Sequence, residues 1–410
     1  MRGTTGQTAV ADSGRSGLCV LYVSYDGMLE PLGQSQVLPY LRELAARGAR
    51  ITLLSFEKRA DLADRVRVDA LGAQLAAGGI RWLRLRYHKR PRALATAADI
   101  AVGFARAVFV ARRNRISAVH ARSYVPALIA WGLKRTIGTR FIFDMRGFWA
   151  DERVDGGLWP AGGRIYRVAK WLEHRFLRDA DEIVTLTARA RAIVEQWKGI
   201  GSPRVTVIPT CADLSRYPRV RRTTASDAGA VFVYSGSLGT WYLLREMIRF
   251  VEVARERWPG SSLLLLTRHQ AEAREALQRS SLPADRVTLA SAAPEEVPQW
   301  LARSDVGLAF YKPGIARRGT CPTKMAEYLA AGLPVVVNEA VGDSEEIIAG
   351  NEVGVVPESF SDEVYASTLD RLAELRADPE LPVRCRSVAE AHFSLPLGVA
   401  RYWDVYERIA

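Results

Sequence analysis

Gly319-Thr-Cys-Pro-Thr-Lys-Met-Ala-Glu-Tyr-Leu-Ala-Ala-Gly-Leu-Pro-Val-Val-Val-Asn338 reads as a short helix running into a buried strand. Pro322 suits the first turn of a helix, where its missing N–H breaks no bond, and Gly332 followed by Pro334 is a stop signal. Met325 and Leu329, four apart, mark the stripe that faces a core; Thr323 and Glu327, also four apart, share another face with Lys324 beside them. Free N–H groups at the start of such a helix carry the equivalent of about half a positive charge and suit a phosphate. Glu327, one turn on, can accept from sugar hydroxyls. The segment therefore nominates a nucleotide-diphosphate clamp over Thr320, Cys321, Thr323, Lys324 and Glu327, although the same spacing also describes an ordinary amphipathic helix with a solvated face.

Beyond this segment, the 410 residues exceed one ordinary core and fit two domains of roughly 200 residues each. Apolar content of 48% and charged content of 25% exclude a disordered or fibrous chain. Cys19, Cys211, Cys321 and Cys385 form no C-x-x-C pair, which points to neither a disulfide framework nor a zinc site and suits a reducing, cytoplasmic compartment. The formal charge of +12 implies an anionic partner: a phosphate-rich substrate, an acidic membrane surface or, least favoured for want of a reading motif, nucleic acid.

In chain order, residues 1–16 are small and polar and are expected to form a disordered tail. Apolar runs at Leu18–Ser24, Ile51–Phe56, Ile80–Leu85, Ala118–His120, Phe141–Asp144, Glu182–Thr187 and Val205–Ile208 alternate with helical stretches, the signature of a doubly wound parallel sheet over 17–210. The loop from Tyr25 to Ser35 carries Gly33, which would let backbone approach a ligand. A helix is expected over Gln36–Ala46. The helical stretch from Leu94 to Arg113 is apolar on one side and basic on the other, so it suits either a lobe surface or peripheral contact with an anionic membrane. Two clusters leave strands: His120-Ala-Arg-Ser-Tyr124, placing His120 at a strand end toward a cleft, and Phe143-Asp-Met-Arg-Gly-Phe-Trp-Ala-Asp-Glu-Arg153, where Asp144 and Arg146 could grip a polar acceptor. Each can equally be structural. A polar linker over 211–229 leads to a second lobe, 230–394, with strands at Val231–Tyr234, Ser262–Leu266, Val287–Ala290 and Val306–Phe310. Ser235, Gly236 and Ser237 leave room for phosphate beside the backbone, with Arg268, Arg317, Arg318 and Lys324 as sources of positive charge. Asp179-Ala-Asp181 reads as the polar edge of a strand, and no metal is expected. Residues 395–410 form an aromatic terminal helix.

These motifs resemble the retaining GT-B glycosyltransferases of the family-4 type, whose donor signature is an acid pair E-x7-E. Glu327 matches the closing acid, and Ala330-Ala-Gly-Leu-Pro-Val-Val336 matches the stretch just past it; the opening acid is missing, because position 319 is glycine. The resemblance implies an α/β GT-B fold of two doubly wound, Rossmann-like lobes with a donor and acceptor cleft between them, and a terminal helix crossing back to the first lobe. It implies transfer of a hexose or N-acetylhexosamine from a UDP- or GDP-type sugar to a carbohydrate, lipid-linked or small-molecule acceptor, without metal or further cofactor. Glu327 would hold the ribose, Ser291–Val297 would frame the base, Lys312 would lie on the approach to the sugar, and His120 would stand near the reacting sugar. Arginine outnumbers lysine, as in GC-rich bacterial genomes, so bacterial surface glycan, glycolipid and secondary-metabolite glycosylation all remain open. Two rivals stay in view: a sugar-nucleotide-modifying enzyme such as an epimerase on the same scaffold, and a two-lobed binding protein without catalysis.

Overall fold

The computed structural model describes residues 18–90, 92–218 and 229–410. The expected tail at 1–16 and positions 219–228 of the expected linker lie outside the described residues. Seven parallel strands make the first sheet: β1 Cys19–Ser24, β2 Arg50–Glu57, β3 Arg81–Arg86, β4 Ala118–Arg122, β5 Arg140–Asp144, β6 Glu182–Thr185 and β7 Val205–Val207, in the order β3-β2-β1-β4-β5-β6-β7. Six more make the second: β8 Val231–Ser235, β9 Ser262–Leu266, β10 Val287–Ala290, β11 Val306–Ala309, β12 Val335–Val337 and β13 Gly354–Val355, in the order β10-β9-β8-β11-β12-β13. Both lobes are thus doubly wound α/β units. In each, strand order reverses beside the first strand, between β1 and β4 and between β8 and β11, and crevices for ligands open at such points.

The apolar runs are continuous because both faces of each sheet are covered. Along β1, Val20 and Tyr22 enter one core while Leu21 and Val23 enter another. Phe232 and Tyr234 part from Val233 in the same way along β8. The period of two therefore survives in where each side chain goes, although it is invisible in their apolar character.

Several expected boundaries move. The helix expected at Gln36–Ala46 is two, Pro31–Gln36 and Leu38–Ala46, because Pro39 has no N–H to carry one helix through Val37. Strand β4 continues two residues beyond His120, and the two-residue β13 is too short to carry a periodic signal. The quoted segment forms a helix over Thr323–Ala330, with Pro322 as its extended N-cap and Gly332 in the left-handed region just past its end. We call it the clamp helix.

The terminal helix, Leu395–Ile409, buries Val399, Tyr402, Val405, Tyr406 and Ile409 in the same core as Val20, Tyr22, Leu38 and Leu41 of the first lobe. Each such side chain contributes roughly 1.5–3 kcal/mol. Three polar contacts fix its register. Arg408 donates twice to the buried carboxylate of Glu182, at 2.9 Å each, the Tyr402 hydroxyl donates to Asp144 Oδ2 at 2.9 Å, and the Tyr406 hydroxyl meets His120 Nδ1 at 2.9 Å.

Removing the hydroxyl in Tyr402→Phe leaves a buried carboxylate short of a donor, so the unfolding free energy should fall by about 1–3 kcal/mol. Urea unfolding followed by circular dichroism measures this; an unchanged midpoint would mean that the contact carries no stability.

Candidate active site

The two reversal points face one another across a cavity of about 700 Å³, within the size range of small-molecule sites. Its second-lobe wall comes from the ends of β8, β9 and β10: Ser235–Ser237, Leu266–His269, and Ala292, Pro294 and Val297. The clamp helix and the residues leading into it close this wall with Thr320, Cys321, Thr323, Lys324 and Glu327. The first lobe supplies Gln36, Arg122, Arg146, Glu152 and Thr210.

Lys324 is the electrostatic centre of the second-lobe wall. It is 7% exposed, and its Nζ has no hydrogen-bond partner. The amine lies 3.9 Å from the ring centre of Tyr234 and 4.3 Å from that of Tyr242. Burial without an acceptor pushes its pKa down to about 7, with Glu327 opposing the shift. The electron-rich ring faces attract a cation and offset part of that penalty. The amides of the first turn have no side-chain cap, which leaves donors and a positive dipole end beside Lys324. Glu327 is pushed above the ordinary carboxylate range by burial, against the pull of Arg216 and the Tyr217 hydroxyl. The loop at 235–237 contributes space more than donors. The amides of Ser235, Gly236 and Leu238 are already bonded to the Tyr328 hydroxyl, Leu266 O and His269 Nδ1.

On the opposite wall, Arg122 and Arg146 converge on one acceptor. Gln36 Oε1 accepts from Arg122 Nη2 at 2.9 Å and from Arg146 Nη2 at 3.2 Å, while Gln36 Nε2 donates to Thr323 Oγ1 at 2.8 Å across the cleft. Arg146 also donates to Thr210 Oγ1 at 3.3 Å. Two strained residues hold these arginines. Ser123, directly after Arg122, has φ 70° and ψ −174°, and Arg146 has φ 59°; such conformations cost on the order of 1–3 kcal/mol each. Arg317, 4% exposed, reaches over to Glu152 at 3.3 Å and lies over the Trp241 ring at 5.1 Å.

Most of the sequence-nominated residues meet in this cavity: Arg146, Ser235, Gly236, Ser237, Arg268, Arg317, Thr320, Cys321, Thr323, Lys324 and Glu327, with Ala292, Pro294 and Val297 of the expected base frame. Gly33, Arg318, His120, Asp144 and Lys312 do not line it. Gly33 approaches the chain itself rather than a ligand, since a Cβ there would stand 2.3 Å from Gly27 O. The Arg318 side chain is exposed and outside the cavity wall; its carbonyl accepts from Thr187 Oγ1 at 2.7 Å. His120 does not face the cleft. It is 1% exposed under the terminal helix, with its ring against Tyr22, Tyr402 and Tyr406, and burial lowers its pKa, which keeps it neutral at pH 7. Asp144, also 1% exposed, lies behind Arg146 with Oδ1 3.8 Å from Nη1. Burial alone would raise its pKa, but Arg146 and His120 hold it below the usual carboxylate value. Lys312 is likewise exposed and outside the cavity wall.

The glycine at 319 has a steric explanation. A Cβ there would stand 3.0 Å from Phe148 Cδ2 and 3.3 Å from Gly147 Cα. The two lobes touch where an acidic side chain would have to lie. The contact is reinforced by Ala316 N–H donating to Asp155 Oδ2 at 3.1 Å and by Asp343 accepting from the amides of Ala188 and Arg189.

Sequence reasoning missed Gln36, Arg122, Thr210 and Arg216. Arg122 follows His120 by two residues, hence on the same face of β4, and a strand end placed two residues later would have found it. Asp179 and Asp181 are engaged within the first lobe, Asp181 accepting from the Phe141 amide at 2.8 Å and from Lys134 at 2.7 Å. Among the described residues no group of three or more His, Cys, Asp or Glu is placed to hold a metal.

Two family models cover most of the chain: a glycosyl transferase 4-like domain matches residues 33–211, and glycosyl transferases group 1 matches residues 229–374. No curated protein matches the sequence. Solved structures similar in fold include a glycosyltransferase from Rickettsia africae (TM-score 0.69, 13% identity, 96% of this chain and 99% of that one) and sucrose-phosphate synthase from Thermosynechococcus elongatus (0.70, 15%, 96% and 99%). Anabaena HepE, solved in complex with UDP-glucose, is similar at TM-score 0.64 and 14% identity, over 95% of this chain and 100% of that one. With two doubly wound lobes facing across one cavity and both halves matched, the chain belongs to the GT-B glycosyltransferases of the family-4 type.

Proposed function

We propose that this glycosyltransferase moves a hexose or N-acetylhexosamine from a UDP- or GDP-type sugar to an acceptor hydroxyl with retained anomeric configuration, the nucleotide sugar being its sole co-substrate. The observation that carries the reading is Lys324: a buried amine without an acceptor, beside the uncapped start of the clamp helix and the small residues at 235–237. An ammonium in that position has no hydrogen-bonded anion, and a diphosphate supplies one. Glu327, one turn along, is placed to accept from ribose hydroxyls, and Ala292, Pro294 and Val297 offer a small apolar wall for a base. The HepE complex with UDP-glucose supports the donor class by similarity of fold.

In such a transfer the diphosphate leaves with negative charge that Lys324, Arg268 and the helix start stabilise, while the opposite wall holds the acceptor hydroxyl on the face of the sugar that the diphosphate leaves, so that the new glycosidic bond replaces the broken one on the same side and a phosphate oxygen takes the hydroxyl's proton. His120 and Asp144 act at one remove, as positioning residues behind Arg146. The acceptor is a carbohydrate, a lipid-linked sugar or a small molecule, in a bacterial surface-glycan, glycolipid or secondary-metabolite setting.

We further propose a cytoplasmic protein in peripheral contact with anionic membrane. The helix Arg92–Arg113 is long and apolar enough to span a bilayer, yet Ala107, Val110 and Ala111 are committed to the first-lobe core, so it lies on a surface rather than through it. Its outer face shows Leu94, Val102 and Phe109 at 71%, 56% and 52% exposure, with Arg106, Arg112 and Arg113 alongside. Helix Arg164–Asp179, over the same core, adds exposed Ile165, Val168 and Trp171. Apolar side chains among arginines suit an anionic interface.

At pH 8 free Lys324 is mostly neutral, whereas a bound diphosphate favours its charged form, so UDP or GDP binding should take up about one proton. Calorimetry in two buffers of different ionisation enthalpy reads this. Lys324→Met should abolish the uptake and weaken binding by about tenfold or more; unchanged affinity and unchanged uptake would remove Lys324 from the site. For the membrane, co-sedimentation should show binding to phosphatidylglycerol vesicles that Leu94→Ser/Val102→Ser/Phe109→Ser reduces. Equal sedimentation with neutral vesicles, or none at all, would contradict that contact.

A further inference from the structure

We propose that Arg122 and Arg146, yoked by Gln36, form an oxyanion subsite on the first-lobe wall that takes a phosphate group. That group is either the leaving diphosphate of the donor or a phosphate carried by the acceptor. The inference rests on the proposed donor reading only for what occupies the facing wall.

Both arginines hold unspent donors. A guanidinium has five N–H groups in a planar fork, and the only hydrogen bonds these two arginines make through them, among the described residues, go to neutral oxygens: Gln36 Oε1 for both and Thr210 Oγ1 for Arg146. Arg122 is 5% exposed, and its Nε is buried with no hydrogen-bond partner. Both side chains line the cavity. Buried guanidinium groups ordinarily meet a carboxylate or phosphate in bidentate geometry; these two meet a shared amide oxygen.

The nearby acids do not complete the pairing. Asp144 Oδ1 approaches Arg146 Nη1 at 3.8 Å, and Asp26 Oδ2 approaches Arg122 Nε at 3.7 Å. Both are beyond hydrogen-bond distance, so they moderate the charge without occupying the forks. His120, behind Asp144, is held neutral by burial, and Glu152 is turned to Arg317. Two cations held side by side repel, and that arrangement is favoured once an anion lies between them.

Backbone strain points the same way. Ser123 and Arg146 both have positive φ, one directly after the first arginine and one at the second. Glycines aside, positive φ at or next to the described cavity wall falls at these two arginines alone, which marks positions that the fold enforces. Gln36 then ties the pair to the donor wall, since its amide nitrogen donates to Thr323 at 2.8 Å on the clamp helix. A phosphate in the subsite would therefore lie across the cleft from the start of that helix.

The experiment uses the full chain, UDP and inorganic phosphate, in calorimetry with wild type, Arg122→Gln, Arg122→Lys and Gln36→Met. If the subsite serves the donor, Arg122→Gln weakens UDP binding by about tenfold or more, while Arg122→Lys, which keeps the charge and loses the fork, falls between. If it serves the acceptor, UDP affinity stays as in wild type, and phosphate binding to the UDP-saturated protein is lost in Arg122→Gln and reduced in Gln36→Met. Matching melting temperatures establish that the variants fold; should Arg122→Gln melt early, Arg122→Lys and Gln36→Met carry the same comparison. UDP and phosphate affinities equal to wild type in every folded variant overturn the subsite. Wild type that binds phosphate but not UDP would contradict the donor reading and leave the paired arginines standing; wild type that binds neither overturns both.

Discussion

Much of the cleft depends on one buried carboxylate. Asp144 stands at the end of β5 with the Tyr402 hydroxyl on one oxygen and Arg146 beyond the other. The last helix of the chain thereby reaches the back of the cavity wall. Burying a charge is costly, and the Tyr402 hydroxyl together with the nearby Arg146 guanidinium offsets part of that cost for Asp144. Arg146 in turn adopts a left-handed backbone to present its guanidinium to Gln36, and Gln36 spans to Thr323 of the opposite lobe. A side chain near the carboxyl terminus is thus linked, through Asp144, Arg146 and Gln36, to the clamp helix.

The second constraint is the contact between lobes. Gly319 lies against Phe148 and Gly147, Arg317 pairs with Glu152, and Asp343 accepts from the start of helix Ala188–Glu195. In this arrangement the position of the missing acid is filled by the other lobe. The clamp wall carries Lys324 at its centre and Arg317 at its edge, and the carboxylate nearest the gap, Glu152, comes from the first lobe. A cavity so lined favours an anion on its second-lobe side.

The fold was largely legible because parallel strands covered on both faces are unbroken apolar runs, and because Gly332 and Pro334 punctuate the clamp helix sharply. What the sequence hid has physical causes. Pro39 splits a helix whose apolar pattern runs straight through it, and β13 has only two residues. In the site, residues close together in the chain, such as Thr320 to Glu327, could be grouped by helical period. Gln36, Arg122, Thr210 and Arg216 come from separate segments, and only the tertiary fold brings them together. His120 shows the reverse error. A polar residue near a strand end suggests a cleft, but the terminal helix covers it, and no local signal in β4 reports what a segment nearly 290 residues later will bury.

The arrangement amounts to two switch-point crevices turned toward each other, one rich in arginine and one holding a lysine without an acceptor. The most direct test is to incubate the purified chain with UDP-glucose, UDP-galactose, UDP-N-acetylglucosamine and GDP-mannose in turn and measure the release of nucleoside diphosphate by chromatography. Release from at least one donor, abolished in Lys324→Met, is the result predicted. No release from any donor, with no change in melting temperature in the presence of any of them, would contradict a nucleotide-sugar site in this cleft.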